Sequence, residues 1–484
     1  MTKVSNVKKI ELGSAKCALD IGDGSERGEY VNQDYILQTL GRPHRAVSLM
    51  YCYYPNEETW PVRASIAHAD SDVSFQWDYP YDDYFTYKGG LNGNLLDEPF
   101  NYMREVRRHG QDVLLTLTID PKLTEDHIVA IAKDLSTFGR VMLRINHEAT
   151  GDWFSFNKRA DYPEVAAFFK KCCDIIHREA PNIKTIICLD GCTSVEEEKM
   201  KMEDIFAEAS RAADIVSVDR YLSLHWGWPY DVAEEGGDTF KRDKVEDIYA
   251  MCKKSYDRYT TVNGGVKRPM VLSEMNADGD VTGPYDQADM VLEFCDLLKK
   301  DDEKWLDGFT MYQFRDRGRL GLEIEDPNNK DVGIKQPVLD TYKKLLHDDY
   351  FKPEVKEIGG VDLPVTLRWG GAEDAEGIQV DIDFEGNPVF CEAYFDDDLK
   401  EENLMIEIND WWFYKAPGVE CVDFMSAFFE KPLDKAQTLQ MRIFAPPATG
   451  ENDPSQGEDW QTNYYHELKG LPKMRVMFKP VVEG

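Results

Sequence analysis

The sequence predicts a (β/α)8 TIM barrel over residues 41–350, followed by an all-β sandwich over residues 351–484. Short apolar runs alternate with amphipathic helical stretches up to about residue 350, as in a parallel sheet. No G-x-G-x-x-G or P-loop motif is present, which argues against an open doubly wound sheet. Beyond residue 350 the pattern changes to period-two alternation. Residues 1–40 are expected to form an N-terminal extension that packs on the barrel.

Eight apolar runs are candidates for the barrel strands. The first is 46–54, and the second lies within 62–78, where the pattern is weakest. The other six are 113–119, 141–145, 185–189, 215–218, 269–273 and 308–314. Helices are predicted between them over 124–136, 162–179, 195–212, 244–259 and 286–300. Eight such units over roughly 300 residues fit the length of a (β/α)8 barrel.

The C-terminal part has no convincing helical pattern. Residues 365–369, 378–384 and 404–408 alternate apolar and polar side chains, and turn residues such as Glu385–Pro388 separate them. This is typical of a β-sandwich. Trp411 and Trp412 suit a sugar-binding platform, but a core position for at least one of them is favoured.

Charge and hydropathy exclude several kinds of partner. The chain has 56 Lys and Arg against 90 Asp and Glu, a net charge of −34. Such a surface repels phosphate, so no nucleic acid partner is expected. No apolar run reaches the ~18 residues of a membrane span. The first residues have no apolar segment, which predicts a cytoplasmic protein if this N-terminus is native and a secreted one if a signal peptide has been removed.

Two glutamates follow barrel strands at the end where barrel enzymes carry their chemistry. Glu148 follows the fourth predicted strand, and Glu274 follows the seventh. Glycoside hydrolysis needs two carboxyl groups, one protonated to assist the leaving oxygen and one ionised to attack the anomeric carbon; about 5–5.5 Å apart, they retain configuration. Burial beside Trp153 would keep Glu148 protonated, and Arg144 would favour the ionised form of Glu274.

Other side chains at this rim are candidates for substrate binding. Asn146 and His147 are expected to contact a substrate hydroxyl or to orient Glu148, and Tyr221 to hydrogen-bond Glu274. Sugar rings stack on aromatic side chains and bond to amides. The remaining candidates are Trp77, Trp153, Trp226, Trp228, Tyr312 and Gln313. Asp219 and Arg220 are interpreted as a structural ion pair.

The layout resembles clan A glycoside hydrolases, whose acid/base and nucleophile are glutamates at the ends of strands four and seven. Within that clan, the stretch His147–Phe154 is most similar to family 26, which includes endo-β-mannanases. The resemblance implies that Glu148 is the acid/base and Glu274 the nucleophile. It implies an endo-acting retaining enzyme for a neutral β-linked glycan, with β-mannan first and β-glucan or β-xylan next. No metal or organic cofactor is expected, because the two carboxyl groups supply the chemistry.

Two other functions are open. The chain could be a carbohydrate-binding protein on an inactivated barrel, although a binding site has no need for both glutamates. It could also be a metal-dependent hydrolase or an aldolase, which need histidine clusters or a lysine at a strand end. The nine histidines show no ligand spacing, and no lysine ends a predicted strand, so this alternative is disfavoured.

Overall fold

The structure of the protein is a computed structural model. The chain forms two units, one built from residues 15–352 and one that combines the N-terminal strand with the C-terminal part. The described residues are 3–12, 15–22, 31–61, 85–109, 111–151, 156, 159–189, 204–223, 244–316, 318–352, 355–358, 363–370, 374–385, 390–395, 399–428, 436–446 and 464–477.

The first strand of the chain, β1 (Lys3–Leu12), belongs to the C-terminal unit, and the next eight strands form a closed parallel barrel. The barrel strands are β2 (Ala18–Gly22), β3 (Ala46–Tyr53), β4 (Asp112–Ile119), β5 (Val141–Ile145), β6 (Ile183–Cys188), β7 (Ile215–Asp219), β8 (Met270–Met275) and β9 (Gly308–Met311). The ring closes where β2 pairs with β9. The predicted TIM barrel is confirmed.

The N-terminal region differs from the prediction of an extension over residues 1–40. Its strand β2 is the first barrel strand, so the predicted strand at 46–54 is the second. A five-residue run that contains Asp20 gives little strand signal, but Asp20 is buried against Arg45, which compensates its charge. The ring is complete without a strand from 62–78, a segment outside the described residues. The runs at 141 and 270 therefore keep their places as strands four and seven.

The barrel interior is layered by polarity. One apolar layer contains a buried residue from each of six consecutive strands: Ala46, Leu114, Met142, Ile186, Ile215 and Val271. Two residues further along five of these strands, and so on the same face, lie Thr116, Arg144, Cys188, Ser217 and Ser273, all buried. The polar layer therefore lies closer than the apolar layer to the C-terminal ends of the strands, where the candidate site is.

Among the described residues, helices lie between the barrel strands and after the last of them. They are α1 (Gln33–Leu40), α2 (Phe100–Arg108), α3 (Glu125–Leu135), α4 (Tyr162–Glu179), α5 (Ala207–Ala212), α6 (Val245–Val262), α7 (Gly279–Thr282), α8 (Pro284–Lys300) and α9 (Pro337–Leu346). Helix α4 begins at a capping box in which Asp161 and Glu164 bond each other's backbone amides. After β9, three short strands form a small sheet: β10 (Arg315–Asp316), β11 (Glu323–Asp326) and β12 (Asn329–Lys335). Within the described part of the chain, no helix has the length and apolar character required to cross a bilayer.

The C-terminal unit is a two-layer β-sandwich, which confirms the predicted class. Its strands are β1 with β13 (Val355–Ile358), β14 (Val365–Trp369), β15 (Ala375–Glu385), β16 (Phe390–Tyr394), β17 (Leu404–Ile408), β18 (Trp411–Lys415), β19 (Cys421–Asp423), β20 (Ala436–Phe444), β21 (Tyr464–Leu468) and β22 (Lys473–Met477). The larger sheet runs β13-β1-β15-β20-β17-β18, with β14 and β21 attached, and the smaller runs β19-β16-β22. Ile378 and Ile406 of the larger sheet share one core with Cys391 of the smaller.

Two expectations for this unit are wrong. Strand β1 pairs in parallel with β15 and antiparallel with β13, so residues 3–12 extend the sandwich. These partners are more than 300 residues away in sequence, and no local pattern could reveal them. Trp411 and Trp412 are 45% and 36% exposed, so neither is a core residue. They lie on β18, an edge strand with few neighbours to cover it.

Candidate active site

The end of β5 brings Arg144, His147 and Glu148 to the rim of the barrel. Arg144 follows Met142 by two residues and shares its inward face. Beyond β5 the backbone turns sharply, with positive φ of 56° at Asn146 and 43° at Glu148. Such conformations are unfavourable for residues other than glycine and occur often at functional sites. The amide of Ala149 donates to the carbonyl of Cys188, which ties this turn to β6.

Glu274 reaches the same rim because β8 contains a β-bulge. Strands β7 and β8 pair Val218 with Leu272 and then Asp219 with Glu274, so Ser273 is an extra residue on β8. Ser273 hydrogen-bonds Ser217 inside the barrel, and strict alternation would direct Glu274 towards the surrounding helices. The bulge turns the side chain of Glu274 to the side of Asp219.

Arg144 connects the inward-facing groups. Its Nη1 donates to Oε1 of Glu274 over 3.1 Å, and its Nη2 donates to Oδ2 of Asp219 and to Sγ of Cys188. Burial disfavours the charge of this guanidinium, but Asp219, Cys188 and Glu274 raise the pKa of Arg144 well above its ordinary value. The cluster therefore has a permanent cation at its centre.

Asp219 is a site residue that sequence reasoning missed. It pairs with Arg144, not with its neighbour Arg220, and its carboxyl hydrogen-bonds that of Glu148. Two carboxyl groups can bond in this way only when one is protonated. Burial raises the pKa of Asp219 above its ordinary value, and the interactions with Arg144 and Glu148 oppose this rise without cancelling it. The sequence did contain a signal for this role. Asp219 is the last residue of its strand and lies four residues after the inward-facing Ile215, so it is expected to point inward as well.

The protonation of Glu274 is set by opposing effects. Burial and the charge of Asp219 raise the pKa of Glu274 to about 8, although Arg144 and Tyr221 lower it. The effect expected of Arg144 is thus present, but it is outweighed. Burial and Asp219 therefore favour the protonated form of Glu274, and Arg144 and Tyr221 favour the ionised form.

His147 lies against both carboxyl groups. Its Nδ1 is 3.3 Å from Oε1 of Glu274 and 3.9 Å from Oδ2 of Asp219. Burial and Arg144 lower the pKa of His147 well below its ordinary value, so its imidazole is neutral. Among the described residues, His147, Asp219 and Glu274 form a group whose spacing could hold a metal ion. Arg144 already supplies a cation to both of these carboxyl groups.

Two tyrosines complete the described wall of the site. The hydroxyl of Tyr221 donates to Oε2 of Glu274 over 2.7 Å. Burial and Glu274 raise the pKa of Tyr221 well above its ordinary value, so it stays protonated and acts as the donor. Tyr312 lies just after β9, and its ring packs edge to face against that of Tyr221, with 6.2 Å between the ring centroids.

The other predicted residues are placed differently. Asn146 is fully buried, and its Oδ1 accepts the amide of Ile119, so it links two strand ends. Gln313 is buried and donates to Asp316. Among the described residues, neither Asn146 nor Gln313 forms a hydrogen bond with Glu148 or Glu274. The four predicted tryptophans lie outside the described residues: Trp77, Trp153, Trp226 and Trp228.

Comparisons with known proteins give distant structural likenesses. No protein-family model matches the sequence, and no curated protein matches it. The fold is similar to AbfB, a family 51 α-L-arabinofuranosidase from Bifidobacterium longum, at 10% identity and a TM-score of 0.44, over 91% of this chain and 100% of that one. It is also similar to a GH128 endo-β-1,3-glucanase from Sorangium cellulosum, at 11% identity and a TM-score of 0.40, over 68% and 98%.

Proposed function

We propose that the protein is a retaining glycoside hydrolase that cleaves a neutral β-linked glycan by double displacement. Glu148 is its acid/base, and Glu274 is its nucleophile. One observation carries the proposal: glutamates from strands four and seven both border Asp219 beside a buried arginine. That convergence supports the short separation of carboxyl groups used by retaining enzymes.

In the first step the Glu148 proton passes to the glycosidic oxygen while ionised Glu274 attacks the anomeric carbon. The bond from that carbon to the leaving oxygen breaks, and a glycosyl ester forms on Glu274. Glu148, now ionised, then takes a proton from water, and the resulting oxygen attacks the same carbon and releases Glu274. The sugar leaves with its original configuration.

The surrounding groups suit these roles. Glu148 and Glu274 are only 8% and 7% exposed, so charges that develop there are weakly screened by solvent. Arg144 and Tyr221 each hydrogen-bond Glu274, and both stabilise its ionised form before attack and after ester hydrolysis. The hydrogen bond between the carboxyl groups of Glu148 and Asp219 requires one proton, and in this proposal Glu148 carries that proton as the acid.

The substrate we propose is a neutral β-linked polymer, with β-mannan first and β-glucan or β-xylan next, cleaved within the chain. A net charge of −34 repels acidic polysaccharides and leaves neutral ones unaffected. The order among the neutral polymers follows the similarity of His147–Phe154 to family 26.

Release of reducing ends from soluble β-mannan, β-glucan and β-xylan tests the proposal. Wild type should release them, whereas Glu274→Gln and Glu148→Gln should lose at least about a thousandfold in rate. Glu246→Gln, an exposed glutamate on α6, is the matched control and should be unaffected. NMR of the first product should show the β anomer. A 2-deoxy-2-fluoro glycoside should label Glu274, and the α anomer or a label elsewhere would contradict the mechanism.

A non-catalytic carbohydrate-binding protein is the second candidate, because the raised pKa of Glu274 weakens it as a nucleophile at neutral pH. This alternative predicts glycan binding with no release of reducing ends between pH 5 and 9. Hydrolysis that increases as Glu274 ionises would exclude it.

A further inference from the structure

The outer face of the C-terminal sandwich has an aromatic strip on its edge strand. Trp412 and Tyr414 of β18 are 36% and 51% exposed. Because they are two residues apart on one strand, their side chains point to the same face about 6.7 Å apart. Trp411, between a tight turn and Trp412, alternates to the opposite face.

Ring contacts and the ends of β18 hold Trp412 in place. The ring of Trp412 packs edge to face against Trp369, with 5.2 Å between the ring centroids, and lies 5.7 Å from the ring centroid of Phe444. These two contacts fix its orientation. Strand β18 begins after a two-residue turn, Asn409–Asp410, with positive φ at both positions. It ends at Lys415, which is buried and donates to the carbonyls of residues 399, 400 and 402. A ring fixed in this way loses little entropy when a ligand stacks on it.

Hydrogen-bonding groups lie beside the rings on the same face. Trp412 pairs across the sheet with Glu407, Glu407 with Arg442, and Arg442 with Gln379. Nη1 of Arg442 donates to Glu407 over 3.1 Å, and its Nε donates to Oε1 of Gln379; the guanidinium itself accepts no hydrogen bond. This row therefore has balanced charge and offers both donors and acceptors beside two exposed aromatic rings.

We infer that this face binds a neutral glycan chain, whose sugar rings stack on Trp412 and Tyr414 while their hydroxyl groups bond to the Glu407–Arg442–Gln379 row. Aromatic faces with a few fixed polar groups are the chemistry that recognises neutral sugars. Charge argues for this occupant. A chain of net charge −34 repels anionic polymers and a second copy of itself, and the row's paired charges attract neither sign. The inference does not depend on catalysis in the barrel.

Native affinity electrophoresis of the full-length protein tests the inference, since the high negative charge gives good mobility. Gels containing soluble β-mannan, β-glucan or neutral β-xylan should retard the wild type in at least one case. Tyr414→Ala and Trp412→Ala together should weaken the apparent affinity about tenfold or more. Trp411→Ala removes a neighbouring tryptophan from the other face and is the matched control. Circular dichroism and the melting temperature check folding, and Tyr414→Ala alone removes a largely exposed ring if the double variant misfolds.

Equal retardation of wild type and double variant would place binding elsewhere and overturn the inference, as would no retardation by any of these polymers. A wild-type dimer in sedimentation velocity that dissociates in the double variant would make a second copy the occupant and would also overturn it. Retardation without release of reducing ends would support this site while contradicting the proposed hydrolase. Hydrolysis together with unchanged binding in the double variant would support the proposed hydrolase while contradicting this binding site.

Discussion

The hydroxyl of Tyr221 donates a 2.7 Å hydrogen bond to Oε2 of Glu274, while Oε1 of the same carboxyl group accepts from Arg144. One donor is neutral and the other is permanently charged, and both oppose the effect of burial on Glu274. The two oxygens of the proposed nucleophile are thus oriented by one side chain of β5 and one from the segment that follows β7.

Removal of one of these donors should slow the reaction without unfolding the protein. Tyr221→Phe keeps the ring contact with Tyr312 but leaves Oε2 of Glu274 without its hydroxyl donor. Hydrogen bonds to charged groups contribute about 1.5–3 kcal/mol, so kcat/KM should fall about ten- to a hundredfold. Steady-state kinetics measures this, with Tyr285→Phe, an exposed tyrosine on α8, as control. A Tyr221→Phe enzyme with wild-type kcat/KM would show that the bond has no role in attack.

Asp219→Asn should move the acidic side of the pH profile to lower pH. The negative charge of Asp219 raises the pKa of Glu274, and the amide removes that charge. Glu274 then ionises at lower pH, which extends activity in that direction even if the maximum rate falls. The measurement is kcat/KM between pH 4 and 10, with Asp174→Asn, a surface residue paired with Lys170, as control. If the acidic side of the profile stays in place or moves to higher pH, the charge of Asp219 does not raise the pKa of Glu274.

Glu274→Gln should stabilise the fold, and more strongly at alkaline pH. The folded pKa of about 8 lies above the ordinary 4.5, so the stability that Glu274 contributes is present below 4.5 and is lost as pH rises through 8. Replacement by a neutral amide avoids this loss, which amounts to about 3 kcal/mol at pH 7. Melting temperatures at pH 5 and pH 8 test it. The increase over wild type should be small at pH 5 and several degrees at pH 8, and equal increases would refute the explanation.

His44 should make the barrel acid-sensitive. It is buried and stacked on Tyr342, and burial followed by the charge of Arg42 lowers the pKa of His44 to about 3. Its contribution to stability is present above 6.5 and is lost as pH falls towards 3, because the unfolded chain binds the proton first. His44→Phe keeps a ring against Tyr342 and should reduce the loss of stability between pH 7.5 and pH 5 by about 2 kcal/mol. Urea unfolding at both pH values measures it, and an unchanged loss would assign the acid sensitivity to other groups.

Local patterns were sufficient for most of the barrel. Strands such as β4 are buried on both faces and therefore read as continuous apolar runs, which identified them and their order. Glu148 and Glu274 fell at the ends of strands four and seven because two errors in the count offset each other: β2 was missed, and a strand was predicted within 62–78. By contrast β2 is short and contains Asp20, whose burial depends on Arg45 from another strand. Strand β1 was missed because its partners β13 and β15 lie at the other end of the chain.

By itself the sequence determined the two fold classes and the edge of the barrel on which Glu148 and Glu274 lie, because these follow from the period of apolar residues and the polarity of parallel strands. Only the tertiary structure decided that a bulge at Ser273 turns Glu274 inward and that Asp219 pairs with Arg144 and not with Arg220. It also decided how these groups share their protons. Contacts between side chains from different strands, and their removal from water, set those properties, and neither is encoded in any local stretch of the chain.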